Sequence, residues 1–442
     1  MSSRKLPPII SKKAVLSSKA IAYWRRAADL AVSRSAYREA ASHLRRALAL
    51  LDHVPADRAR LELELANRLG VMHFVLEGGM SPTARTIYER NAELSETFEA
   101  DRETFAALWG LCYSDYISGR TASAQEKATV LVGVAERLHD DDLLLEALHA
   151  RWAAAFFMGD VRTTIAAAQH GATIYSTERH HVHVTTFGSG HDSGVCCLTH
   201  GALGYYLSGQ FASGDAWLEK GLTLARRLDH PFSLCHGFQT ASLALDFIGD
   251  YERAKAHTAE CERTAREGKF LMSQAIGILV SGAAMIGSGE TDVGMQRMMS
   301  VLDVTSGPDP AGWRPFYLTR LANALIERGD LGHARERMQQ AQTRLAATGG
   351  AFGDSEVPRM LATLARAEGG SIELVLDQLE RAVNRATQTG STLLQMRALA
   401  DIVELEAGQR SLEARADIAL LLGKTDGGEL LPDIRRARSL VR

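Results

Sequence analysis

Glycine returns along this chain at a fixed interval. Gly79, Gly119 and Gly159 are 40 residues apart, as are Gly209, Gly249, Gly289, Gly329 and Gly369; the one other step, 159 to 209, is 50 and holds a ten-residue insertion. A helix that must reverse direction within a few residues ends in left-handed backbone, which glycine adopts without steric penalty. Each of these glycines is therefore expected to close the first helix of a pair. Five residues beyond them stand Ala84, Ala124, Thr164, Gly214, Ala254, Gly294 and Ala334, and seven before them Cys112, Ala202, Ser242, Gly282, Ala322 and Ala362. Small side chains at both offsets let two antiparallel helices approach closely. Trp152 and Leu374 depart from this pattern, which predicts different packing in their repeats.

A period of this length, made of helix, turn and helix, is the mark of an α-solenoid. The spacing of small residues about the turn resembles the tetratricopeptide repeat, lengthened by several residues. The expected fold is all-α: a right-handed superhelix of about ten repeats of ~40 residues each over 20–422. A basic flexible arm is expected at 1–19, with Arg4, Lys5, Lys12, Lys13 and Lys19, and a terminal loop and capping helix at 423–442. One complete unit is visible in Ile21, Trp24, Ala28 and Ala31 followed by Tyr37, Ala40, Leu44 and Ala47. The 442 residues need no division into separate cores, because a solenoid grows by adding units.

Charge excludes some partners. With 50 basic against 53 acidic residues the net charge is −3, which gives no global field for nucleic acid or an anionic membrane. The longest apolar window, near 275–287, falls short of the roughly 20 residues a bilayer span needs. The five cysteines, Cys112, Cys196, Cys197, Cys235 and Cys261, are odd in number and four lie in apolar helical patterns, as reduced cytoplasmic thiols would. Pro7 and Pro8 interrupt the only early apolar run, so no secretory signal is read.

Chemistry has little to stand on. The glycine-rich stretch at 287–294 has no lysine, and Gly423-Lys424-Thr425 has Ile418 where a phosphate loop has its first glycine. No Gly-x-Ser-x-Gly elbow occurs and no acidic pair stands out. The chain is read as a non-enzyme without a cofactor.

Two sets of residues are candidates for binding. Ten residues before the glycines from Gly119 to Gly369 stand Trp109, His149, Thr199, Gln239, Leu279, Thr319 and Arg359, expected to line a concave groove for a protein or peptide. The insertion at 177–193 carries His180, His181, His183, His191 and Asp192, with His200 on the following helix. Imidazole and carboxylate are zinc ligands, but the loop has neither a His-Glu-x-x-His spacing nor a general-base glutamate among its histidines. No metal is assigned to it; His191 and Asp192 are expected to cap the helix beginning near Gly194 and lock the loop onto the solenoid.

The stretches Ala20-Ile21-Ala22-Tyr23-Trp24-Arg25-Arg26-Ala27, Arg34-Ser35-Ala36-Tyr37-Arg38-Glu39-Ala40, Gly190-His191-Asp192-Ser193-Gly194-Val195-Cys196-Cys197, His230-Pro231-Phe232-Ser233-Leu234 and Arg314-Pro315-Phe316-Tyr317-Leu318 occur in one order. As a set they resemble the C-terminal tetratricopeptide region of bacterial signalling proteins in which a class III adenylate/guanylate cyclase domain and an AAA-type ATPase precede the repeats. Proline often follows the His-Asp pair in that family, where this chain has Ser193. The resemblance implies a scaffold or regulatory module, with a cyclase, ATPase or regulator as partner; the alternative is a ligand- or metal-sensing module acting on a separate cyclase or ATPase.

Overall fold

Helix follows helix in antiparallel pairs through the computed structural model, which describes residues 12–54, 58–95, 101–187, 189–304, 312–348, 350–405 and 408–442. Among the described residues there are 22 α-helices, and the only bridge between extended backbones joins Gln210 to Asp426. The expected pairing holds: Arg102–Ile117 with Thr121–Leu138, Asp141–Met158 with Val161–Ile174, Ser193–Leu207 with Phe211–Leu228 and Pro231–Ile248 with Tyr251–Gly268. Leu271–Gly287 then pairs with Thr291–Leu302, Arg314–Glu327 with Leu331–Thr348, and Glu356–Ala367 with Ile372–Thr389. Thr392–Glu404 with Gln409–Leu422 and the short helix Pro432–Leu440 close the array. The fold is an α-solenoid of tetratricopeptide-like repeats.

The glycine period acts as predicted, with one slip. From Gly119 to Gly369 every periodic glycine has positive φ, but in the first of them the left-handed residue is Gly78, not Gly79. The departures also have physical reasons. Trp152 is fully buried, and its ring fills the space where a Cβ on Gly171 would lie, at 2.6 Å, so the small residue has moved to the partner helix. Leu374 is 49% exposed and Val375 is buried in its stead, a register shift of one residue.

At the N-terminus the boundary is corrected. The first helix is Lys12–Ser33, so 12–19 is helix and not arm, because nothing between Lys12 and Ala20 breaks it; residues 1–11 of the expected arm lie outside the described residues.

Superhelical closure is what the sequence pattern does not contain. Tyr37 hydroxyl meets His230 Nε2 at 2.9 Å, Thr121 Oγ1 donates to the Thr348 carbonyl at 2.9 Å, and Ser391 Oγ donates to the Leu207 carbonyl at 3.4 Å. These partners are 193, 227 and 184 residues apart, which is about five repeats per superhelical turn. The turns at Gly78, Gly119, Gly159, Gly209 and Gly249 are covered by the next superhelical turn, whereas those at Gly289, Gly329 and Gly369 meet nothing within 4 Å of a built Cβ. Coiling this tightly fills the concave side.

Candidate functional site

Near the superhelix axis the first helices of successive repeats enclose a cavity of about 70 Å³. Phe74, Tyr113, Phe157, Phe270 and Trp313 form its apolar wall, and His191, Cys196, His200, His236 and Gln239 its polar part. Cys196 and His200 are one turn apart on Ser193–Leu207, so they share a face. His149 comes from Asp141–Met158 and His236 from Pro231–Ile248, while His191 arrives from the insertion.

The imidazoles are packed ring on ring. His191 stacks on His236 with centroids 3.7 Å apart and planes 6° from parallel. His200 lies 5.6 Å beyond His236, and His149 is 5.2 Å from His191 and stacked on Trp152 at 5.0 Å. The indole N–H of Trp152 donates to Cys196 Sγ at 3.3 Å, and His200 Nδ1 lies 3.1 Å from the Cys196 carbonyl, to which it donates. Burial first, then the neighbouring imidazoles, pushes His191 and His236 well below the ordinary histidine range. Burial takes His200 down to about 4, against the Cys196 carbonyl that works the other way. It likewise pushes the Cys196 thiol up. Burial thus favours the neutral forms of His191, His200 and His236 and of the Cys196 thiol.

Glu146 organises the outer side. It is 1% exposed and accepts from His149 Nδ1 at 3.1 Å and His183 Nδ1 at 2.8 Å. Burial alone would raise its pKa, but these two donors hold its carboxyl well below the usual range. A carboxylate only accepts, so both rings carry a proton on Nδ1 and, when neutral, turn a lone pair out at Nε2. Nε2 of His149, His183 and His236 is enclosed without a hydrogen-bond partner among the described residues.

The insertion histidines do not converge. His180 Nε2 pairs with Asp142 at 3.0 Å, His181 Nδ1 with Asp192 at 3.0 Å, and His183 with Glu146, three different carboxylates. Asp192 caps the next helix, as its position before Gly194 implies, accepting from Gly194 N at 2.9 Å and Val195 N at 3.1 Å. His191 does not share that role; it points into the cavity, with Nε2 3.2 Å from Ser189 Oγ.

Most of the groove candidates are in the packed interior, while Gln239 and Arg359 are half-buried. Trp109 is fully buried and donates to the Glu146 carbonyl, Leu279 is fully buried, and the hydroxyls of Thr199 and Thr319 turn back onto their own helices. Arg359 is held by Glu356 and Asp401. Of this set only His149 and Gln239 reach the axial site. Sequence reasoning did not find Glu146 or His236; the four-residue spacing of Cys196 and His200, one helical turn, is a signal that could have pointed to the cluster and was not read.

No protein-family model matches the chain. An uncharacterised protein of Rhizobium meliloti (strain 1021) is 27% identical over 400 residues, which are 89% of this chain. The chain spans 38% of that relative's length. Among solved structures, a Rap protein complexed with competence and sporulation factor aligns at a TM-score of 0.51 with 12% identity, over 83% of this chain and 99% of that one. The likeness is one of fold. Among the described residues no helix is long and apolar enough to cross a membrane.

Proposed function

We propose that the chain is a non-catalytic scaffold that holds a protein partner in bacterial signalling, the partner being a cyclase, an ATPase or a regulator. One observation carries this reading: the uncovered edge of the superhelix. At Gly289, Gly329, Gly369 and Gly408 no superhelical turn packs over the repeat turns, and Val293, Ile372, Leu374 and Leu412, each within five residues of one of them, are 49–63% exposed. Exposed apolar side chains just past the turns of three of these four repeats make a surface that protein association buries. Earlier repeats bury the matching edge against the chain itself. Further support comes from the longer bacterial relative, of which the aligned region is the smaller part, and from the Rap protein of like fold that holds competence and sporulation factor. The cytoplasm is the compartment this role requires.

Affinity capture of the intact protein from its own cell extract, beside a Val293→Asp/Leu374→Asp variant, tests it. The expected result is a protein retained in stoichiometric amount by the parent chain and lost from the variant. Equal retention by both removes the edge from the interface; a parent chain that retains nothing removes the scaffold reading.

A further inference from the structure

We infer that the axial cluster is a binding site for one divalent transition-metal ion of the zinc class, held by Cys196 Sγ and by imidazole nitrogens of His149 and His191, with His200 and His236 near the same sulfur. This does not rest on the scaffold reading, and it places the ion away from the histidines of the loop at 177–185.

Distance is the first argument. The donor atoms of His149, His191 and Cys196 all lie within 4.8 Å of one another, and so do those of Cys196, His200 and His236. Donors bound to a single tetrahedral zinc at about 2.0–2.3 Å stand roughly 3.5 Å apart, so a closure of about 1 Å brings the three donors of His149, His191 and Cys196 onto one ion and leaves its fourth position to water or a further imidazole. The stacked rings of His191 and His236 bring the two triads to one locus.

The second argument is unspent bonding capacity. His149 is 1% exposed, yet its Nε2 has no hydrogen-bond partner among the described residues. A buried acceptor without a donor costs free energy that folding does not recover. A cation accepting this lone pair removes that cost.

The surroundings also match those of a bound metal. Glu146 accepts from His149 Nδ1 at 3.1 Å, the carboxylate–imidazole arrangement that fixes the tautomer of a metal ligand and raises its basicity. The Trp152 indole N–H is aimed at the sulfur at 3.3 Å, where it stabilises a thiolate. Nitrogen with sulfur donors favours zinc or cobalt and disfavours magnesium and calcium, which take oxygen. On binding, the Cys196 S–H bond breaks, its proton leaves to solvent and the sulfur lone pair forms the S–metal bond, with no change of oxidation state.

Full-length protein, reduced and stripped with a chelator, is titrated first with Co²⁺ and then with Zn²⁺. One Co²⁺ per chain is expected, with sulfur-to-cobalt charge-transfer absorption and the visible bands of a four-coordinate ion, both bleached by one equivalent of Zn²⁺. Cys196→Ser should abolish the charge-transfer band and weaken Zn²⁺ binding at least tenfold. Cys197→Ser should leave both unchanged, because that neighbouring thiol faces the Ala168 carbonyl at 3.0 Å. Circular dichroism of each variant reports whether it is folded. A Co²⁺ spectrum of the parent chain without a sulfur band overturns the inference whatever the variants do, and so does a folded Cys196→Ser chain that binds as the parent does.

Discussion

Thr121 and Thr348 hold two superhelical turns together: Oγ1 of the first donates to the carbonyl of the second at 2.9 Å across 227 residues of sequence. Gly119 lies beside this contact at φ +82°, and a Cβ there would stand 2.4 Å from Thr348 Cγ2. Thr348 cannot simply turn aside, since its own hydroxyl is bonded to the Leu345 carbonyl at 3.2 Å. Gly329 has nearly the same backbone, φ +76°, with nothing within 4 Å. Alanine at either site costs about 1–2 kcal/mol for left-handed backbone, and Gly119→Ala should cost a further 1–3 kcal/mol, roughly, for the forced contact. Urea unfolding of the two variants measures the difference. Equal losses would mean that the turns do not press on each other.

Asp115 gives a pH dependence with a definite sign. Its side chain is 3% exposed and pairs with Lys127 at 2.7 Å, Arg120 at 2.8 Å and Arg85 at 3.0 Å. Burial works to raise its pKa, but the hydrogen bonds from Lys127, Ser123, Arg120 and Arg85 outweigh it and hold the carboxyl well below the ordinary aspartate range. The stabilisation is therefore fully present above the unfolded-state pKa, about 4, and is lost as pH falls toward the folded value. Asp115→Asn should cost about 3 kcal/mol at pH 7. The gap between parent and variant in urea should narrow steadily below about pH 4; a gap independent of pH would remove charge as its cause.

The local architecture was legible because each repeat turn is settled within a few residues. A left-handed glycine, a small residue on either side and a capping Asp192 are all contiguous in sequence, and the helix pairs follow from them. The axial site was not legible for the opposite reason. His149, Cys196 and His236 come from the first helices of three successive repeats, and they meet because those helices pack side by side with their inner faces converging, an angle that arises from many small rotations that no single motif encodes. The offset ten residues before each glycine falls mainly in the packed interior, since a turn this tight brings the facing first helices together. Of the insertion histidines, His180, His181 and His183 satisfy separate carboxylates, and a count of histidines in a loop cannot tell such pairing from convergence.

Asp192 joins the insertion to the solenoid, and its two oxygens have separate tasks. Oδ1 caps the helix Ser193–Leu207 through Gly194 N and Val195 N, while Oδ2 accepts from the Tyr175 hydroxyl at 3.0 Å and from His181 Nδ1 at 3.0 Å. Alanine removes all of these acceptors. The lost cap costs about 1 kcal/mol and the stranded donors at least about 1 kcal/mol more, so Asp192→Ala should destabilise the chain by about 2–3 kcal/mol. Asparagine keeps Oδ1 for the cap and offers an amide that the Tyr175 hydroxyl can accept from, so Asp192→Asn should cost about half as much. Urea midpoints taken with chelator present separate this effect from any bound metal. Equal destabilisation by the two variants would show that the charge of Asp192, and not its capping oxygen, holds the loop in place.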